Sequence, residues 1–182
     1  MKDLETTDLL LRPASLELAP QVLDYYLRNR KFLEPFEVKH EESFFTLAQQ
    51  REGLKKDMEG AENHASARFY INQKADPDCI IGTVALNNIV WGCFESCYLG
   101  YKLDVGSLNR GYMTQAVTAV TRFAFETLHL HRIEANVMPR NRRSLRVLEK
   151  CGFREEGIAR NYLKINGVWE DHIHIVRLND IV

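Results

Sequence analysis

The chain has little with which to build a metal centre or a disulfide framework. Its four cysteines, Cys79, Cys93, Cys97 and Cys151, form no C-x-x-C pair, so a zinc site and a stapled secreted scaffold are both excluded and no metal is expected. An excess of charge is missing too: 24 Lys and Arg against 25 Asp and Glu leave a net charge of -1 over 182 residues. A direct nucleic-acid binder carries a strongly basic footprint, and this chain has none. No apolar run approaches the roughly 20 residues that span a bilayer. The opening MKDLETTDLL lacks the cationic flank and apolar stretch of an export signal. These absences predict a cytoplasmic protein with reduced thiols and no membrane partner. Repeats, low-complexity tracts and linkers are also lacking. With 45% hydrophobic residues, residues 1–182 are expected to fold as one domain around one core.

What is present is a mixed α+β pattern. Residues 7–12, 67–73, 79–89, 96–104, 131–138, 154–165 and 168–178 read as strands. Helices are expected over 16–30, 42–58, 110–128 and 140–153. The run Ala75-Asp76-Pro77-Asp78 signals a turn, and Asn166-Gly167 signals a tight hairpin. KFLEPFEVKH, residues 31–40, bears a proline and is expected to be a loop that exposes Phe32 and Phe36. Tyr25 and Tyr26, at helical spacing, are better core residues than contact residues.

One more absence is local. The helix over 110–128 presents Val117, Val120, Ala124 and Leu128 at helical spacing, yet opens on Asn109-Arg110-Gly111-Tyr112 with no acidic residue in its first turn. A helix N-terminus carries unpaired N–H groups and a partial positive charge, which Asp or Glu ordinarily offsets. Arg110 makes that end more positive. Either the glycine marks a plain turn, or the missing negative charge arrives as a ligand phosphate held by the amides of residues 108–113. One strand later come Asn141-Arg142-Arg143-Ser144 and Glu149-Lys150-Cys151-Gly152-Phe153, of the form N-x-x-S followed by E-K-x-G-F.

Together the two stretches resemble the GCN5-related N-acetyltransferases (GNAT). The resemblance implies the GNAT fold: a central, mostly antiparallel sheet of six to seven strands flanked by about four helices. It also implies acetyl-CoA as cosubstrate. Its pyrophosphate would lie on Leu108, Asn109, Arg110, Gly111, Tyr112 and Met113. Its pantetheine arm would meet backbone groups of Tyr101 and Leu103 and the side chain of Asn141, which otherwise only caps its helix. Two positions depart from the family pattern. Leu108 stands where Gln or Arg is usual, which predicts a small loss of affinity because backbone amides do most of the phosphate binding. Leu148 occupies the slot of the usual tyrosine acid. Ser144 is then the candidate for contact with the leaving sulfur, the alternative being an ordinary serine early in a helix.

NRKFLEPFE (29–37), SCYLGYKLD (96–104), HRIEANVMPRNRRS (131–144) and NYLKINGVWEDH (161–172) resemble the RimJ-like branch. That branch implies transfer to the N-terminal α-amine of a ribosomal protein beginning with alanine. The partner would be the N-terminal segment of a small-subunit protein, and the enzyme a monomer or homodimer. Asn136 holds the place of a base glutamate in related enzymes. Glu134, two residues away on the same strand face, is the candidate base, unless it pairs with Arg132 or Arg143. Glu95 is a further alternative, or only a strand-end charge. Phe32, Phe36, Asn161 and Tyr162 are the candidate acceptor contacts, with Trp169 nearby. Two other readings stay open: acetylation of a small amine, and a weakly catalytic CoA-binding ribosome-assembly factor.

Overall fold

Alternation of apolar and polar residues draws the chain into one eight-stranded sheet. The computed structural model describes residues 1–179, so the last three residues of the expected domain lie outside it. The strands are β1 (Leu4–Glu5), β2 (Leu9–Pro13), β3 (Ala67–Gln73), β4 (Asp76–Val90), β5 (Ser96–Leu103), β6 (Arg132–Val137), β7 (Arg154–Ile165) and β8 (Val168–Leu178), in the order β1-β2-β3-β4-β5-β6-β8-β7. Every pairing is antiparallel except β5 with β6. Seven strands coincide with those read from sequence. The eighth, β1, is two residues long and too short to show a period.

Four helices flank the sheet: α1 (Ala19–Leu33), α2 (Leu47–Glu62), α3 (Tyr112–Arg122) and α4 (Arg142–Lys150). On one face α3 and α4 bury Val117, Val120 and Leu148 against Leu99, Leu103, Ile133 and Ala135. On the other, Val22, Tyr25 and Leu54 of α1 and α2 cover Tyr70 and Ile80 of β3 and β4. Tyr25 is fully buried there, as its spacing predicts.

Two local expectations need correction. Helix α1 continues to Leu33, so Phe32 lies in its last turn, half-buried, and not in an exposed loop. Burial of Leu33 against the α1–α2 cluster carries the helix past Arg30, and Pro35 stops it. The Asp76-Pro77 turn is also displaced. Asp76 already pairs with Gln73, the chain reverses at Lys74 and Ala75, and two register shifts absorb the irregularity. Pro77 adds no ladder donor there, while its carbonyl accepts from Asn72 Nδ2 at 2.9 Å. Asn166-Gly167 does form the hairpin tip, both residues at positive φ, +50° and +87°.

The parallel pair makes the feature that matters. β5 and β6 are in register only at Ser96–Arg132, Cys97–Ile133 and Tyr98–Glu134. Beyond Tyr98, β5 stays with β4, whereas β6 stays with β8. The two halves of the sheet part there and leave a wedge-shaped opening.

Candidate active site

A cleft of about 540 Å³ occupies this opening. Tyr101 and Leu103 of β5 form one wall, and Asn141 and Ser144 of α4 form the other. Leu108, Asn109, Gly111, Tyr112 and Met113 close one end, and Phe32 and Phe36 border it. The structure thus brings together eleven of the residues expected from sequence. Arg110 is exposed and stands outside the lining.

The α3 end of the cleft offers backbone donors and no negative charge. Gly111 is the N-cap at φ +77°, no side chain caps the helix, and its first turn holds no acidic residue. Ahead of the first helical bond, from Gln115 N–H to the Gly111 carbonyl, the N–H groups of Gly111, Tyr112, Met113 and Thr114 find no acceptor among the described residues. A Cβ built at Gly111 meets nothing within 4 Å. The glycine therefore answers to the left-handed backbone and to whatever approaches from outside, not to crowding within the chain. Lys102, Arg142, Arg143, Arg146 and Lys150 also line the cleft, and no carboxylate does.

The α4 wall carries the hydroxyl groups. Asn141 is the N-cap of α4 and its Oδ1 accepts from Ser144 N–H at 3.2 Å, while its amide nitrogen has no partner among the described residues. Tyr101 is packed against the larger core, and its hydroxyl lies 2.7 Å from Ser144 Oγ and 3.1 Å from the Ser144 carbonyl oxygen. Burial pushes the Tyr101 phenol well above its ordinary range, with the Ser144 hydrogen bond acting weakly the other way. Leu148 is fully buried in the core and offers no proton. The Tyr101 side chain was missed from sequence, where only its backbone was considered. Strand alternation does place it on the side of Leu99 and Leu103, but not which helix meets it there.

The remaining candidates lie on the opposite face of the sheet. Register puts Tyr98 beside Glu134, and Asn136 beside His174. Glu134 Oε1 accepts from Arg132 Nε at 2.8 Å, the pairing left open from sequence, and Arg132 also bridges to Glu156. Glu134 does not line the cleft. Glu95 stands just before β5, where its main-chain carbonyl receives the His131 and Arg132 amides, and its side chain does not line the cleft. Asn161 sits at φ +48° and gives its N–H to Asp171 Oδ1 at 2.9 Å. Tyr162 packs on His172 and His174, with ring centroids 5.7 and 5.0 Å away, and its hydroxyl is 3.5 Å from Asn136 Nδ2. The Asn136 Oδ1 is buried without a partner. Asn161 and Tyr162 are thus apart from the cleft lining, on the side of the sheet that α1 and α2 leave open.

Three long-range ties frame that side. Asn166, at the β7–β8 tip, accepts from Lys39 N–H at 2.8 Å and donates to the Glu34 carbonyl at 2.7 Å. Arg140 pairs with Glu170 and donates to the Pro35 carbonyl. Lys102 pairs with Glu37 of the same aromatic loop and lies 4.9 Å from the Tyr26 ring centroid. Burial disfavours the Lys102 charge, but Tyr26 and Glu37 outweigh it and raise its pKa. Among the described residues no cluster of His, Cys, Asp and Glu suits a metal ion, and no helix is long and apolar enough to cross a membrane.

Comparison with known proteins agrees with this geometry. The family model described as Acetyltransferase (GNAT) domain matches residues 8–154. The chain is 43% identical over 169 residues to "Probable N-acetyltransferase YjcK" of Bacillus subtilis (strain 168), covering 93% of each chain. It is 39% identical over 171 residues to the [Ribosomal protein uS5]-alanine N-acetyltransferase of Escherichia coli (strain K12), covering 92% of this chain and 87% of that one. Among solved structures it resembles Mycobacterium smegmatis RimJ in complex with CoA-disulfide. That likeness has a TM-score of 0.89 and 25% identity, and covers 100% of this chain and 88% of the other.

Proposed function

Because this chain belongs to the GNAT family of N-acetyltransferases, we propose that it acetylates the N-terminal α-amine of a ribosomal protein beginning with alanine. The cleft carries the reading: backbone amides before α3 at one end, cations but no carboxylate along its lining, a hydroxyl pair on the α4 wall, and the parting of β5 from β6. The likeness to the uS5-alanine enzyme of E. coli supports the acceptor. The residues present fit acetyl-CoA, which supplies the acetyl group as a thioester open to direct attack by an amine.

In this reading the amides of residues 108–113 hold the pyrophosphate. Asn141 offers its amide N–H to the pantetheine arm, and the β5 backbone at Tyr101 and Leu103 offers it a strand edge. Ser144 meets the sulfur. On the far side of the sheet, Glu134 receives the proton that the amine sheds, with Arg132 orienting its carboxylate. An α-amine has a pKa of about 7.7–8.0, so a useful fraction is neutral near neutral pH and the base has a modest task. Phe32 and Phe36 on one side, and Asn161 and Tyr162 on the other, border the acceptor.

The decisive measurement is mass spectrometry of ribosomal proteins from cells with and without the gene. The expected result is one protein that loses its N-terminal acetyl group when the gene is removed. An unchanged set, with transfer to small amines intact, would move the function to a small-molecule acceptor.

A further inference from the structure

We propose that Tyr101 and Ser144 act as a paired hydroxyl clamp on the leaving sulfur, with Tyr101 the positioning residue that frees the Ser144 proton to point at it. The inference rests on the acetyl-transfer reading above and assigns Tyr101 a side-chain role beyond it.

The geometry poses a choice about one proton. The Tyr101 hydroxyl lies 3.1 Å from the Ser144 carbonyl oxygen and 2.7 Å from Ser144 Oγ. If Tyr101 donates to the carbonyl, Ser144 O–H turns back to the phenol oxygen and is spent within the chain. If Tyr101 donates to Ser144 Oγ, the serine proton is released toward the cleft, which both residues line. Rotation of two hydroxyl groups interconverts the arrangements with no movement of the backbone. Developing charge on sulfur selects the second. The alternatives for this task are engaged elsewhere: Tyr112, also at the cleft, donates its phenol proton to Gln73 Oε1 at 2.9 Å, and Leu148 is apolar.

The chemistry decides what the pair does. In the transfer the acceptor nitrogen forms a bond to the acyl carbon, and the C–S bond breaks with its electron pair on sulfur. The nitrogen sheds one proton, which ends on Glu134 or water, and the sulfur later takes one from solvent. An aliphatic thiol has a pKa near 8.5 and a free phenol one near 10, so a phenol does not give its proton outright to such a thiolate. An alcohol is weaker still. Burial pushes Tyr101 further up, which keeps it a neutral donor at any working pH. The pair therefore stabilises the thiolate by hydrogen bonding, an interaction that strengthens as charge develops.

Tyr101→Phe, Ser144→Ala and the double variant test this, with kinetics and with the pKa of the CoA thiol bound to each protein. The thiol pKa is read from the pH dependence of CoA binding by calorimetry and of its alkylation by iodoacetamide. Tyr101→Phe should lower kcat about tenfold, because Ser144 loses the donor that aims its proton and its bond to the developing thiolate weakens, while KM for acetyl-CoA stays near wild type. The bound thiol pKa should rise by about one unit, because a Ser144 hydroxyl no longer aimed at the sulfur stabilises the thiolate less. Since Tyr101 acts through Ser144, the double variant should be no worse than Ser144→Ala. An unchanged kcat and thiol pKa in Tyr101→Phe, or costs that simply add, overturns the clamp. Wild-type protein that neither binds CoA nor acetylates any amine would instead overturn the transfer reading itself.

Discussion

Gly111 concentrates the proposed phosphate site of the cleft in one backbone angle. At φ +77° any side chain is strained, and a left-handed residue other than glycine costs about 1–2 kcal/mol. Because a Cβ there meets nothing of the chain itself, two effects of substitution separate. Gly111→Val should lower thermal stability by the backbone term. In the protein that remains folded it should also weaken acetyl-CoA binding tenfold or more, about 1.4 kcal/mol. Calorimetry beside a melting curve measures both, and a destabilised variant of normal affinity would remove the pyrophosphate from this loop. Gly111, Asn141 and Ser144 were legible in the sequence because short motifs fix the local backbone that positions them. Glu134 was legible only as two alternatives. Its neighbour Arg132 is two residues away on the same strand face, but their contact depends on rotamers set by Glu156 of a strand distant in sequence.

At the scale of elements, the loop before α3 is held from outside. Asn29, fully buried in α1, donates to Asp104 at 2.9 Å and to the Tyr25 carbonyl, and its Oδ1 accepts from Val105 N–H at 3.0 Å. Arg28 pairs with the same aspartate, whose other oxygen accepts from Gly106 N–H at 2.7 Å. Helix α1 thereby fastens the end of β5 and the turn that leads to the amides before α3. Asn29→Ala leaves Val105 N–H without its acceptor and Asp104 without one donor. It should cost roughly 2–3 kcal/mol in urea unfolding, since buried groups lose their partners. It should also raise KM for acetyl-CoA several-fold; a stability loss with KM unmoved would confine the clamp to folding.

The β7–β8 hairpin has its own device. The Asn161 N–H, and after it Arg160, hold the Asp171 carboxyl below its ordinary value. The folded pKa is depressed, so this support is present above about pH 3.9 and is lost as pH falls through the lower folded value. The Asn161 amide shift followed by NMR should titrate below pH 3.9. An amide that moves only above that pH would break the link. The hairpin tip was legible because Asn-Gly has a turn chemistry of its own. The last turn of α1 and the position of the β3–β4 turn were not, since tertiary burial of Leu33 and a bulged register outweigh local signals.

Taken as a whole molecule, a chain of net charge -1 gathers its cleft-facing charges with one sign and separates two approaches by its sheet. Phosphate groups suit the α3–α4 side. The other side is the open face of β5, β6, β8 and β7, bordered by the aromatic loop and the final hairpin, which Asn166 and Arg140 tie together. Those strands and motifs were readable one by one, but the framing was not, because its contacts to the aromatic loop join residues more than one hundred positions apart. If an acceptor enters here, it must present an amine on a narrow chain end. Near pH 7.5 an α-amine of pKa about 7.7–8.0 is substantially neutral, whereas a lysine ε-amine of pKa about 10.4 is almost wholly charged. Reactive form alone then favours the α-amine by more than about a hundredfold. An extended peptide adds backbone hydrogen bonds that a polyamine cannot make. Peptides beginning with Ala or Ser should be acetylated, the same peptides with blocked N-termini should not, and spermidine should turn over slowly. The check is a product assay by mass spectrometry at pH 7.5 with the three acceptors at equal concentration. Rapid transfer to spermidine with the alanine peptide inert would sink the peptide acceptor, and would leave the cleft, its amides and the acetyl transfer where they stand.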